Sequence, residues 1–570
     1  MMKKVFFILG ALVALTAIAA VVGIRLMQPA PPASQAFVNG VVLTMDSQDS
    51  QHQAVLVKDD RIVLVGSTDE VVAAADKSTE IHDLQGKTMI PGIIDAHGHF
   101  PGTGLNVVAV DLAGEPVGRV TSIAQSIAMM AERAQDTPEG RWVIGLSYDD
   151  TAMQDNRHFT REDLDRVSTT HPVYALHVSG HFGVANSMAL DLLGIDATTP
   201  DPRGGEIARN DDGLPTGLLI EEAHTQAAEV VYDFSIRQQY QIGRNATDHY
   251  LSRGITTAQN GLATKGILEG MSLFSKMGLV PLRLVVWPDE SLAEQIVNGE
   301  IDPARYESEK FDVGAFKLVF DGSIQGFTGF LSDPYLSTPS GEHAGYRGHL
   351  RGSKEAFFEQ VLTYHKAGHQ IAIHANGDAA IDVAIEAFEN ALSKHPQTDT
   401  RPIVVHAQMA SQSQLAEMKR LGMTPTFFSA HTYFWGDRHE NIFLGTNRAS
   451  TISPLRSATD QGLTYTIHLD SPVVPMEPMM MVWNATQRTT ASGTVLGAQE
   501  RITALQALRA TTIDAAWQIH KEETLGSIEV GKLADFTILD QNPLTSETIR
   551  DIQVVKTIVG GVTLFEAPHE

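Results

Sequence analysis

Eight short apolar runs recur along this chain, each closing on polar residues: 89–97, 255–260, 282–287, 315–321, 371–374, 403–406, 424–428 and 465–470. Helical patterns lie between most of them. The stretch 379–394 puts Ile381, Ala384, Ile385 and Phe388 on one face, and 413–421 reads the same way. Uninterrupted apolar strands alternating with helices indicate a parallel sheet covered on both faces. Eight such units predict an α/β fold, a TIM (β/α)8 barrel, with its functional groups at the C-terminal ends of the strands.

The barrel is expected over 89–519. The gap between His99 and Ile255 is too long for one loop, so 101–250 is read as an insertion subdomain with its own strands at 142–146 and 173–178. Short β-rich runs at 36–45, 54–57 and 61–66 are matched near the other end by 535–540 and 554–564, with Gly560-Gly561 at a turn. Both chain ends, 36–88 and 520–570, are therefore expected to build one small composite β-sandwich.

The first residues carry an address. Met1-Met2-Lys3-Lys4 is a basic start, followed by an uncharged apolar run from Val5 to Ile24. Its length suits a membrane anchor, and Ala17-Ile18-Ala19 suits signal cleavage. Either reading of 1–27 exports the chain, because Lys3 and Lys4 stay in the cytoplasm. The expected location is the periplasm or the outer face of the cytoplasmic membrane, with 5–24 as the tether and the Pro-rich 28–35 as a spacer.

Charge and composition remove other classes. A formal net charge of −26 repels nucleic acid, and no Lys/Arg run offsets it. The chain has no cysteine, which excludes thiol nucleophiles, disulfides and thiolate metal sites. There is no GxSxG elbow and no Walker loop. Any metal site must be built from imidazoles and carboxylates.

Such a set is present. His97 and His99 lie two apart in an extended run, so both can point to one side. His374 closes Ile371-Ala372-Ile373, His406 closes Ile403-Val404-Val405, and Asp470 follows Thr466-Ile467-His468-Leu469. Four imidazoles and a carboxylate at parallel-strand ends are the donors that zinc and similar divalent ions accept. Lys317 lies in the apolar run 315–320, where an ammonium is costly to bury without a partner. It is read either as a salt bridge to Asp321 or as an amine that adds CO2, giving a carbamate that bridges two metals. His365 and His369 are spaced as in HExxH, but residue 366 is Lys, and they are read as a solvated helix face.

Five segments carry a resemblance: Pro91-Gly92-Ile93-Ile94-Asp95-Ala96-His97-Gly98-His99, Lys317-Leu318-Val319-Phe320-Asp321-Gly322-Ser323, His374-Ala375-Asn376-Gly377-Asp378, His406-Ala407-Gln408 and Asp470-Ser471-Pro472-Val473. With 526–536 near the end, they make the region 36–564 resemble the amidohydrolase superfamily, in the amidohydrolase-3 branch that holds N-substituted formamide deformylase-like hydrolases. The resemblance implies one or two divalent metals per chain, usually zinc. It assigns His97, His99 and Asp470 to one metal and His374 and His406 to the other, with N6-carboxylated Lys317 bridging. Ile324-Gln325-Gly326-Phe327-Thr328 departs from the basic residue that many relatives carry there, which bears on the substrate side.

The expected reaction is hydrolysis of a C–N bond in a small amide-type substrate, a non-peptide amide or an N-formyl or N-acyl amine, with Asp470 as proton shuttle. His181, in His177-Val178-Ser179-Gly180-His181, is read as a substrate or oxyanion contact, and Asp321 and Phe100 are placed on the substrate side with it. The cluster His431, Tyr433, Phe434 and Trp435 is read as a pocket wall or as loop packing. The methionines between Met476 and Met481 are read as an apolar pocket or as core. A single-metal deaminase, an isomerase on the same scaffold and an exported non-catalytic binding protein are the alternatives. A homodimer is compatible with the sequence.

Overall fold

The computed structural model describes residues 30–339 and 342–568. The tether and most of the spacer expected at the start lie outside the described residues, and among those described no helix is long and apolar enough to cross a membrane. The chain divides into two compact units, one of Met1–Asp95, Thr247–Ala315 and Leu508–Glu570, the other of Ala96–Ala246 and Phe316–Ala507.

In the first unit, one sheet orders its strands Arg61–Gly66, Ala54–Lys58, Ser34–Val38 and Glu80–Asp83. A second runs Val562–Glu566, Val554–Val559, Phe536–Leu539, Thr88–Pro91, Val41–Leu43 and Gln51–His52, so it takes strands from both chain ends. Phe37, Val55 and Ile62 of the first sheet share one core with Val42, Met89, Phe536 and Ile558 of the second. Burying each such side chain contributes roughly 1.5–3 kcal/mol. A third, parallel sheet orders Phe311–Val313, Arg283–Pro288, Ile255–Ala263 and Ile93–Ile94.

The second unit holds a parallel sheet of Phe316–Val319, Ile371–Ala375, Ile403–His406, Thr424–Phe427 and Thr466–Ile467, in sequence order. Its residues are almost all buried, including Val404, Val405, Ile373 and Leu318, as strands covered on both faces require. The helices Asp378–Lys394 and Gln412–Leu421 follow its second and third strands. The latter starts on a capping box of Ser411 and Gln414 and ends on left-handed Gly422. A six-stranded mixed sheet completes this unit: Gly205–Arg209, Pro215–Glu221, Phe182–Ala185, Val173–His177, Val143–Tyr148 and Val110–Asp111.

The α/β class stands, but the expected barrel strands do not form one sheet. They are divided between the two parallel sheets, one of the expected runs is split, and one strand, Phe311–Val313, lies ahead of the run expected at 315–321. The run 89–97 breaks at Gly92, with Thr88–Pro91 pairing into the sandwich sheet and Ile93–Ile94 pairing with Ile255–Ala263. The segment 311–319 breaks at Gly314 and Ala315. Phe311–Val313 pairs with Arg283–Pro288, and Phe316–Val319 pairs with Ile371–Ala375.

Candidate metal centre

All six side chains read as metal donors fall in the second unit: Lys317, His374 and His406 lie on its parallel strands and Asp470 just beyond the last, while His97 and His99 follow the strand Ile93–Ile94. Two of them need unusual backbone to get there. His406, Ala407 and Asp470 have φ of 71°, 43° and 55°, in the left-handed region that costs an L-residue roughly 1–2 kcal/mol. Such strain persists where surrounding structure fixes it, and it clusters at functional sites.

Asp470 is the hub. Its Oδ1 lies 3.2 Å from His99 Nε2 and 3.4 Å from His97 Nε2, and its Oδ2 lies 3.9 Å from His406 Nε2. Donors about 2.0–2.1 Å from a tetrahedral ion stand about 3.3 Å from one another. The two shorter contacts therefore match edges of a zinc-type tetrahedron and exceed the usual length of a charge-assisted hydrogen bond. His97, His99 and Asp470 form one of two groups of described residues whose donors lie close enough to hold a cation.

The protonation states agree with that use. Burial dominates at His97 and His406 and keeps both imidazoles neutral, well below their usual range. At Asp470 burial pushes the pKa up, but the His99 contact and the imidazoles of His406 and His97 outweigh it and hold the carboxylate ionised. Lys317 Nζ is buried 3.2 Å from His97 Nε2. Burial, opposed by Asp470, pushes it down to about 7. A neutral amine beside a neutral imidazole removes the charge conflict that an ammonium would create there. The donor set thus fits a divalent ion: nitrogen lone pairs, one carboxylate and little competing positive charge.

His374 and His406 stand with ring centroids 4.5 Å apart and nearly perpendicular. His374 Nδ1 faces Asp321 Oδ1 at 3.3 Å. Asp321 is 0% exposed, and its oxygens accept N–H bonds from Asn376 at 3.0 Å, Gly377 at 2.9 Å and Phe330 at 2.9 Å. Asp321, expected on the substrate side, is thus fully buried behind His374. It orients His374, in the way that carboxylates behind metal-binding imidazoles commonly do. Phe100, placed on the same side, is 1% exposed.

His181 sits at the near side of the mixed sheet, its ring 6.3 Å from that of His374. Its Nδ1 lies 3.0 Å from Glu221 Oε2. Burial pushes Glu221 up, but His181 and Arg351 prevail and bring it to about 2, so a fixed negative charge orients the ring. The helix His431–Arg438 buries His431 against Phe428, with ring centroids 4.0 Å apart, and also buries Phe434 and Trp435. Met476 and the helical Met479, Met480 and Met481 are core. His365 is not solvated: it is buried, with Nε2 2.7 Å from the His395 carbonyl, and His369 stacks on Phe316.

Sequence reasoning missed two features. His468 is buried 5.2 Å from His97 and 5.1 Å from His406, ring to ring, with neither nitrogen hydrogen-bonded among the described residues. The two-residue spacing to Asp470 was a usable signal for it. The second possible cation group is Asp149, Asp150 and His177. Its carboxylates are already taken, Asp149 by Arg438 at 2.7 Å and Asp150 by His177 at 3.0 Å. That makes it a structural network.

The amidohydrolase family matches residues 80–565. The chain belongs to the amidohydrolase family. Among curated amidohydrolase relatives, the N-substituted formamide deformylase of Arthrobacter pascens is 31% identical, covering 93% of this chain and 98% of that protein. The putative amidohydrolase YtcJ of Bacillus subtilis (strain 168) is 27% identical, covering 92% and 98%. Among solved structures, an uncharacterized metal-dependent hydrolase from Pyrococcus furiosus shares the fold with a TM-score of 0.71 at 24% identity, covering 90% of this chain and 100% of that one.

Proposed function

We propose that this amidohydrolase is an exported, metal-dependent hydrolase of C–N bonds in non-peptide amides, with N-formyl or N-acyl amines as the substrate class. The observation that carries the reading is Asp470 held at edge-of-tetrahedron distances from His97 and His99. The similarity to the formamide deformylase supports the bond type. We also propose that the two parallel sheets belong to one (β/α)8 barrel, with 36–88 and 520–570 as a composite sandwich and 101–250 as an insertion.

His97, His99 and Asp470 would hold one ion and His374 and His406 a second, zinc by donor type, with Lys317 carboxylated between them. Bound divalent ions would supply Lewis-acid polarisation of the substrate carbonyl and acidify a water near neutral pH. The chain's own groups do the rest. Lys317, brought to about 7, keeps a substantial neutral fraction, the form that adds CO2 at Nζ. Ionised Asp470 accepts the proton of the attacking water at its carboxylate and returns it to the leaving nitrogen. His181, fixed by Glu221, faces the carbonyl oxygen. Asp321 keeps the metal-side nitrogen of His374 in its neutral, donating-ready tautomer.

Asp470→Asn tests the assignment. Loss of a general base typically costs about 10²–10⁴ in rate. Turnover of an N-formyl amine panel should fall by that order while the fold is kept. Elemental mass spectrometry on protein prepared with bicarbonate should find about two ions per chain, as the two donor groups imply. Near-wild-type turnover in the variant would remove Asp470 from the chemistry, and one ion per chain would favour the deaminase reading.

A further inference from the structure

The first unit contains a cavity of about 460 Å³ lined by Ser275, Lys276, Pro281, Ser308, Lys310 and Val562, among others. It opens at the start of the strand Arg283–Pro288, and none of its lining residues is among the metal donors, all of which belong to the second unit. It is therefore a separate place in the molecule. We propose that it binds a phosphate-bearing anion, with the headgroup of an anionic lipid as its source.

The lining chemistry selects the ligand. Two half-buried lysines and Glu309, which is exposed to solvent, line it, and Lys276 Nζ donates to the Arg305 carbonyl. Lys310 Nζ donates to the Pro281 carbonyl at 3.1 Å, and among the described residues no carboxylate pairs with it. Burial and the nearby Arg283 disfavour its charge, with Asp535 and Glu309 only partly compensating. An anion in the cavity would relieve that deficit. Ser275 Oγ is buried without a hydrogen-bond partner among the described residues and is available to donate. The helix Lys265–Lys276 does not oppose an anion with bare carbonyls, because Met277, Gly278 and Leu279 cap Leu273, Ser275 and Phe274. The lining holds no arginine, whose planar fork suits a carboxylate. Two ammonium point charges and two hydroxyls suit a tetrahedral oxyanion.

The position selects the source, given the reading of 5–24 as a membrane tether. The described chain begins at Ala30, and Pro31 lies against Gly561, at the turn opening the strand Val562–Glu566 that lines the cavity. On the helix Lys265–Lys276, Leu273 is 49% exposed and shares a face with Lys276 three residues on. An exposed apolar side chain beside a lysine suits the headgroup boundary. A chain of net charge −26 is otherwise repelled by anionic lipid.

The test uses the full chain in neutral detergent, with trace acetylation of lysines read by peptide mass spectrometry. The probes are inorganic phosphate, dihexanoyl phosphatidylglycerol and dihexanoyl phosphatidylcholine. The expected result is saturable protection of Lys276 and Lys310 by phosphatidylglycerol, at concentrations about tenfold below those phosphate requires, and none by phosphatidylcholine. Calorimetric binding should be lost in Lys276→Gln and in Lys310→Gln, each checked for an unchanged melting temperature. Protection by phosphate at equal or lower concentration makes free phosphate the ligand and overturns the lipid source. Unprotected lysines with all three probes overturn the site.

Discussion

The carboxylate of Asp321 has no lone pair left for a substrate once three backbone N–H groups and His374 have taken their share. The prediction is that it acts through His374, whose Nδ1 lies 3.3 Å away. Asp321→Asn keeps the shape but offers one acceptor oxygen where two were used, leaving a buried donor unsatisfied at a cost of about 1–3 kcal/mol. Metal affinity should also fall about 10–100-fold, the usual penalty for losing the partner behind a ligating imidazole. Competition with a metal-sensitive dye measures this, and wild-type affinity in the variant would reduce Asp321 to packing. From sequence, Asp321 was legible as important but not as oriented. The motif placed it four residues after Lys317, which suggested a salt bridge. Its actual partners come from residues 330, 376 and 377, distances along the chain that no local pattern encodes.

At the scale of elements, the same carboxylate sits at the start of the helix Asp378–Lys394, whose N-cap is Gly377. Free N–H groups and the helix dipole both favour an anion there, so the helix start fixes Asp321, and Asp321 fixes His374. Gly377 makes this possible because a Cβ at that position would collide with the carbonyl of Phe330. Gly377→Ala should displace 330 or the helix start, lowering stability by about 1–3 kcal/mol, as overpacking typically does. Thermal unfolding with and without metal is the measurement, and the metal-dependent increment should shrink with it. The strands themselves were readable because both-face burial writes continuous apolar runs: 371–374 and 403–406 became Ile371–Ala375 and Ile403–His406. The split at Gly92 was not, because hydrophobicity does not change where a strand leaves one sheet for another, and the strand Phe311–Val313 was too short to stand out.

At the scale of the molecule, the two units answer to different variables. Every donor of the candidate metal centre lies in the second unit, while Asp514, whose burial makes the fold sensitive to rising pH, lies in the first. Burial, then Asp49, raise Asp514 to about 6, against the pull of Arg509. A carboxyl raised on folding leaves stability intact below its unfolded pKa, near 4, and erodes it as pH rises through about 6. Asp514→Asn should therefore be more stable than the parent at pH 8 by about 1–2 kcal/mol, discounted for partial exposure, and indistinguishable below pH 4. Removing metal acts elsewhere, since a ligand stabilises what it binds in proportion to ln(1 + [L]/Kd). Amide hydrogen exchange separates the two effects. Chelation should raise exchange in Phe316–Val319, Ile371–Ala375, Ile403–His406 and Thr466–Ile467, and leave Val554–Val559 and Phe536–Leu539 unchanged. Moving from pH 5 to pH 8, with rates divided by the intrinsic exchange rate at each pH, should do the reverse in the parent and nothing in Asp514→Asn. Exchange that rises equally in both sets on chelation would mean that the units unfold as one body, and the separate pH and metal responses would then collapse into a single transition.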